Sequence, residues 1–206
     1  MAISAVHIIK VLAIILAAML PTATPDAARP VITMEYAPPR ADSPFWMQAA
    51  QNAPPIDSAD FTLEYLEYKE CEGQPYALGD EAAPLISAIE RKMGAMSLIS
   101  CEARLFPGED KEYSNEEIII GTIPAGPGGV DVIETMLVIG GEWRTARGIR
   151  VGSTLEEVAE AYGGEPAIDW NQIVYSNGDP ATSPVIIFQV KDGAVAAFFL
   201  DANTRK

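Results

Sequence analysis

Histidine is all but missing from this sequence. The one copy, His7, lies in an apolar N-terminal tract. From residue 8 onward there is no imidazole, which removes Ser-His-Asp and Cys-His nucleophilic machinery and every His-containing zinc site. Acid–base chemistry would have to run on carboxylates, a Ser-Lys pair or a Tyr. A carboxylate-pair hydrolase stays open as a minor alternative, and it needs two acidic side chains about 5–10 Å apart in a cleft. Glycine-rich phosphate loops, nucleophile elbows and HExxH patterns are also absent. The expectation is no catalytic residue, no metal and no cofactor.

Basic residues are scarce too: Lys and Arg total 14 against 29 Asp and Glu, a net charge of −15. That balance repels nucleic acid and anionic lipid, and leaves a cation or a basic protein surface as the attracted partner. Cysteine is limited to Cys71 and Cys101. In an oxidising compartment two such residues pair, with a gain of roughly 3 kcal/mol from loop closure. Two free thiols are the alternative.

Long apolar runs are lacking. Val11–Leu20 covers 10 residues, half of the ~20 that a membrane-crossing helix needs. Lys10 precedes it, Pro21 ends it, and Thr22, Ala23, Thr24, Ala27 and Ala28 follow. This positive, apolar, small order is that of a secretory signal over residues 1–28. An uncleaved anchor meeting the membrane through the same segment is the alternative. The chain is therefore expected to act outside the cytoplasm, secreted or at the cell envelope.

Residues 29–55 read as a linker, with Pro30, Pro38, Pro39, Pro44, Pro54 and Pro55 favouring extended backbone. Residues 56–206 read as α+β. A strand is expected over Phe61–Tyr68. Next comes a helix over Ala82–Met93 with Asp80 as N-cap, Pro84 in the first turn, an apolar stripe of Leu85, Ile86, Ile89 and Met93, and Gly94 as the stop. Strands follow at Ser97–Phe106, Glu117–Thr122 and Val130–Ile139, with charge- or glycine-rich loops at Pro107–Asn115 and Pro124–Gly129. A second helix starts at Ser153-Thr154, with Glu156 and Glu157 placed for a capping box, and ends at Gly163. Strands at Gln172–Tyr175, Val185–Val190 and Ala194–Leu200 come after it, the last two joined by the hairpin signal Asp192-Gly193. The order thus repeats: two tandem helix-plus-antiparallel-sheet units, about 56–142 and 143–206, each a helix and about three strands.

The run Thr145-Ala146-Arg147-Gly148-Ile149-Arg150-Val151-Gly152-Ser153-Thr154-Leu155, closing at Ala161-Tyr162-Gly163, resembles a segment of uncharacterised secreted and lipid-anchored proteins of Gram-positive bacteria. Upstream, Cys101 and Pro107-Gly108-Glu109-Asp110-Lys111-Glu112-Tyr113 resemble the same family. At the level of fold, the pattern is similar to β-lactamase inhibitory protein and to small outer-membrane assembly lipoproteins. The resemblance implies tandem helix-plus-sheet units and carries no chemistry. The sequence departs from the lipid-anchored members in having no cysteine to take the lipid.

Two clusters are candidate sites. Glu109, Asp110, Glu112 and Asn115 supply oxygens of the kind calcium takes, or they form a solvated hairpin loop. Arg144, Arg147 and Arg150 suit a carboxylate or phosphate, or they neutralise neighbours such as Glu142, Glu156 and Glu157. Asn177 and Asp179 read as turn formers. Trp143 and Trp170 fall at element edges. The function expected is a non-enzymatic binding or scaffold module, its partner an unidentified protein or envelope polymer. An inhibitor of an extracellular enzyme is the alternative.

Overall fold

The computed structural model describes residues 54–65, 75–102, 109–163, 167–169 and 171–204, without the side chains of 101, 102 and 167–169. The signal, all of the linker but Pro54 and Pro55, the Cys71–Cys101 pairing and Trp170 lie outside the described residues. No helix among the described residues is long and apolar enough to cross a membrane.

The described residues are mixed α and β, with two α-helices laid against antiparallel strands. A 3-10 turn, Ser58–Asp60, opens the fold, capped by Asp57. Then come β1 (Thr62–Tyr65), β2 (Tyr76–Ala77), α1 (Ala82–Met93), β3 (Ser97–Glu102), β4 (Glu109–Ser114), β5 (Ile118–Pro124), β6 (Asp131–Val138) and β7 (Trp143–Thr145). These are followed by α2 (Leu155–Tyr162), β8 (Ala167–Asp169), β9 (Gln172–Ser176), β10 (Val185–Lys191) and β11 (Ala194–Asp201). β2, β1 and β7 make a small sheet. The other eight strands form one sheet in the order β3-β4-β5-β6-β11-β10-β9-β8, and every neighbouring pair in it is antiparallel.

The first helix spans Ala82–Met93, the bounds the sequence suggests, but its N-cap position is Glu81, which makes no side-chain cap hydrogen bond. Asp80 is not its N-cap, because its carboxylate accepts the N–H of Ala77 at 2.8 Å and closes the preceding turn instead. Pro84 sits in the first turn, where its missing N–H costs nothing. Arg91 and Lys92 favour the negative end of the helix dipole. The second helix carries a capping box: Thr154 Oγ1 accepts from Glu157 N, and Glu157 Oε2 accepts from Thr154 N. The segment expected as a loop, Pro107–Asn115, is a strand over Glu109–Ser114. Among the described residues each helix is followed by four strands of the large sheet, not three. After α1 the extra strand is β4, whose Glu-Asp-Lys-Glu-Tyr-Ser sequence has no apolar alternation, and after α2 it is β8, only three residues long.

One core joins both helices to one face of the large sheet. Leu85 and Ile89 of α1, Leu155, Val158 and Tyr162 of α2, and Ile120, Met136, Phe188 and Phe198 of the sheet are all buried in it, together with Leu63 and Trp143 of the small sheet. Each large side chain fully withdrawn from water contributes about 1.5–3 kcal/mol. Two loop glycines tie the helix starts to the sheet. Gly79 N–H donates to Ile133 O, and Ile133 N–H donates to Asp80 O. Likewise Gly152 N–H donates to Val195 O, and Val195 N–H donates to Ser153 O. Gly79 and Gly152 have φ of +90° and +92°, which side chains with a Cβ rarely adopt.

Candidate functional site: the open face of the large sheet

With both helices on one side, the alternation of each strand sends every second residue to the opposite face. There the cross-strand register lines up Ser114, Ile119, Leu137, Phe199, Ile187 and Val174 on six successive strands. Leu137, Ala197 and Phe199 form a second apolar cluster, separate from the main core, with Ile119, Ile139 and Ile187 packed on it. Leu137 and Phe199 at the centre are buried, while Ile119, Ile187 and Val174 are half-buried. Among the described residues no helix contributes to this cluster.

The next register row is Glu112, Gly121, Thr135, Asp201, Val185 and Ser176. It carries two carboxylates and no Lys or Arg. Gly121 lies close under Thr135: a Cβ there would press on the Thr135 hydroxyl, which would have to turn aside. One residue later β6 bulges, so that Thr122 pairs with Ile133 and Glu134 is left between ladder pairs. Glu134 is 1% exposed, and its Oε1 accepts the Thr204 hydroxyl at 2.6 Å, which ties the C-terminal segment to the sheet.

The sequence-expected clusters fall elsewhere. Glu109 and Lys111 lie on the helix side of β4, while Asp110 and Glu112 lie on the open face, because alternation splits them. Lys111 pairs with Asp131 at 2.7 Å, and that carboxylate raises the lysine pKa. Asn115 Oδ1 accepts from the N–H groups of Glu117 and Ile118, at 2.8 and 2.9 Å, and so closes the β4–β5 turn. The four acidic-cluster residues therefore do not converge, and no group of three His, Cys, Asp or Glu does so among the described residues.

The three arginines are each matched to a carboxylate. Arg144 meets Glu64 at 2.9 Å and Arg150 meets Glu142 at 3.1 Å. Arg147 is the most enclosed. Its Nε and one terminal nitrogen grip both oxygens of Asp60, at 2.5 and 2.6 Å. Its remaining N–H groups donate to the carbonyls of Pro54, Pro55 and Ala161, each at 2.9 Å. A guanidinium has five donors, and all are used. The group also lies 4.9 Å from the ring centre of Tyr162. The hydrogen bond to Asp60 raises its pKa, against the opposing effect of burial.

Trp143 is buried in β7, edge-on to Tyr65 with ring centres 4.6 Å apart. Beside it a small, shallow recess is lined by Tyr65, Tyr76, Ala88, Ile89, Lys92, Met93 and Trp143. Lys92 Nζ stands 3.6 Å over the Tyr65 ring. The lining holds one cation and no carboxylate, so it lacks the acidic pair that a carboxylate-based hydrolase needs. Asp179 does form a turn, its Oδ1 accepting from Ala181 N. Comparison with protein-family models, curated proteins and solved structures finds no match to this chain.

Proposed function

We propose that the chain is an exported, non-enzymatic binding or scaffold module whose open sheet face docks a protein of the cell envelope or extracellular space. The partner surface carries an apolar ridge flanked by Lys or Arg. The observation that carries this reading is the cross-strand row Ile119–Leu137–Phe199–Ile187, apolar on the face that neither helix covers. Charge complementarity supplies the rest: Glu112 and Asp201 border the row, and the chain has a net charge of −15. Export rests on the order of charge and apolar residues in 1–28.

The scaffold is read as two tandem units, each a helix and four antiparallel strands, meeting at β6 and β11. The paired hydrogen bonds at Gly79 and Gly152 make Ile133 the counterpart of Val195. On that offset the bulged Glu134 corresponds to Ala196, where β11 bulges against β10. Leu137 then corresponds to Phe199, its own ladder partner, and Val138–Phe198 exchanges with Met136–Leu200. A pseudo-two-fold axis so drawn passes through the centre of the apolar row, and it relates Ile119 to Ile187. Duplication of this kind builds a face about twice as wide as one unit offers.

The test uses the full chain as bait for envelope extract from its host. The retained protein is identified, purified and titrated directly against wild type, Ile119→Lys and Ile187→Lys. Both residues are half-buried, so the unfolding midpoint checks that the variants fold. The expected result is a weakening of about tenfold or more for each variant, equal to about 1.4 kcal/mol, and a steep loss of affinity as salt rises. A partner that ignores both substitutions, or a chain kept full-length in the cytoplasm, overturns the proposal.

A further inference from the structure

The outer edge of the large sheet differs from its centre. Ser97, Leu98, Ile99 and Ser100 are all exposed, Leu98 at 56% and Ile99 at 62%. With Val130 they are the exposed large hydrophobics among the described residues, and they sit side by side, one on each face of β3. Sheet edges are ordinarily blunted by proline, by a bulge, by an inward lysine or by shortness. Here β3 is six residues long, contains neither proline nor lysine, and pairs with β4 in unbroken register from Ser97↔Ser114 to Glu102↔Glu109. The opposite edge, β8, is three residues long.

The edge also has an electrical direction. The pairs at its C-terminal end are Cys101↔Asp110 and Glu102↔Glu109, and the pair at its N-terminal end is Ser97↔Ser114. One end is acidic and the other neutral.

We propose that β3 is a strand-addition site that takes an extended segment of a protein partner, antiparallel, as a ninth strand of the sheet. This deepens the binding-module reading and rests on it. Antiparallel pairing fixes the order of the added segment. Two basic residues come first, beside Glu102 and Cys101. A small residue faces Ser100, and two apolar residues then lie beside Ile99 and Leu98. Backbone hydrogen bonds give affinity, and the charged end gives direction. The exposed isoleucine and leucine lose their water to the two apolar side chains.

The experiment titrates isotope-labelled full chain with the synthetic peptide Lys-Lys-Ser-Ile-Ile-Thr, its reversed sequence, and a version with proline replacing the first isoleucine. The expected result is binding of the forward peptide about tenfold tighter than either control. Amide exchange should slow in residues 97–102 alone. The double variant Leu98→Lys/Ile99→Lys should lose the binding with an unchanged unfolding midpoint, since both side chains face solvent. Equal binding of forward and reversed peptides, or none, overturns the proposal. So does protection centred on Ile119 and Ile187, which moves the contact to the open face and leaves the binding-module reading standing. Dimers in light scattering that Ile99→Lys dissolves give the edge to a second copy of the chain, and also overturn it. The binding-module reading itself fails separately, on the insensitivity of the retained partner to Ile119→Lys and Ile187→Lys.

Discussion

Replacing Arg147 with Met should destabilise the fold more than any other single charge change among the described residues. The side chains of Arg147 and Asp60 are 13% and 7% exposed, so removing the cation strands a buried carboxylate. Breaking a pair of that kind costs about 3–5 kcal/mol. Asp60 keeps one donor, the N–H of Asp57 at 2.9 Å, which places the carboxylate part at the low end, about 3 kcal/mol. The carbonyl of Ala161 also loses its donor, adding about 1 kcal/mol, while those of Pro54 and Pro55 turn to water. The sum, about 4 kcal/mol, is a large share of the 5–15 kcal/mol by which domains are stable. Arg147→Lys keeps the charge but not the planar fork, and should lose about half as much. Urea unfolding followed by far-ultraviolet circular dichroism measures both. A double-mutant cycle with Asp60→Asn isolates the pair. A loss below about 1 kcal/mol for Arg147→Met, or a coupling within about 0.5 kcal/mol of zero, would refute the view that this arginine fastens residues 54–65 to α2.

Tyr162 and Tyr175 are both 4% exposed or less, and burial pushes each phenol well above its usual pKa near 10, in Tyr162 against the opposing influence of Thr145 and Arg147. In the unfolded chain both ionise near pH 10. Their folded values are raised, so stability is complete below pH 10 and falls above it, by about 1.4 kcal/mol per pH unit for each tyrosine. Alkaline unfolding of the wild type should be that steep, and either Tyr→Phe variant should remove one share of the slope. At neutral pH, Tyr175→Phe should be neutral or slightly stabilising, because its buried hydroxyl has no hydrogen-bond partner among the described residues. Gly79→Ala and Gly152→Ala should each cost about 1–2 kcal/mol, since a Cβ meets nothing but φ is positive, and similar values for the two would support the duplicated-unit reading. Thr154→Ala should lose about 1 kcal/mol with the capping box, seen as a lower thermal midpoint.

Elements that could be read from sequence are those specified within a few residues. The bounds of α1 follow from its apolar stripe and Gly94, and α2 follows from Thr154 and Gly163. The β10–β11 hairpin follows from Asp192-Gly193, both at positive φ. β4 could not be read, because Glu-Asp-Lys-Glu-Tyr-Ser has no apolar alternation and is held by the backbones of β3 and β5. β7 is three residues long and exists through pairing with β1, 80 residues earlier in register Glu64↔Arg144. The role of Arg147 was hidden for a similar reason: its acceptors are three backbone carbonyls and one aspartate, from segments that no local pattern links. The open-face row was hidden because Leu137 and Phe199 meet only through the β6–β11 register.

One signal of that row does stand in the sequence. A strand of an antiparallel sheet with one wet face alternates apolar and polar residues. β9 and much of β10 do so, with burial patterns that alternate strictly from Ile186 to Val190 and along Gln172–Ser176. β11 does not. Ala194 to Leu200 is an unbroken apolar run, and Ala197, Phe198, Phe199 and Leu200 are all buried. The same holds at the end of β6, where Met136, Leu137 and Val138 are consecutive and buried. Strands of that composition belong where both faces are dry. The helices dry one face at Phe198 and Met136, and nothing in the helix layer reaches the other at Phe199 and Leu137. Leu137 and Phe199, at the junction of β6 with β11, are only 4% and 8% exposed, so the apolar area that a docked surface would gain, at about 25 cal/mol per Å², lies on the half-buried Ile119 and Ile187 to either side. A ridge that reaches both flanks has to cross the junction between them, which is why Ile119→Lys and Ile187→Lys should weaken the complex alike.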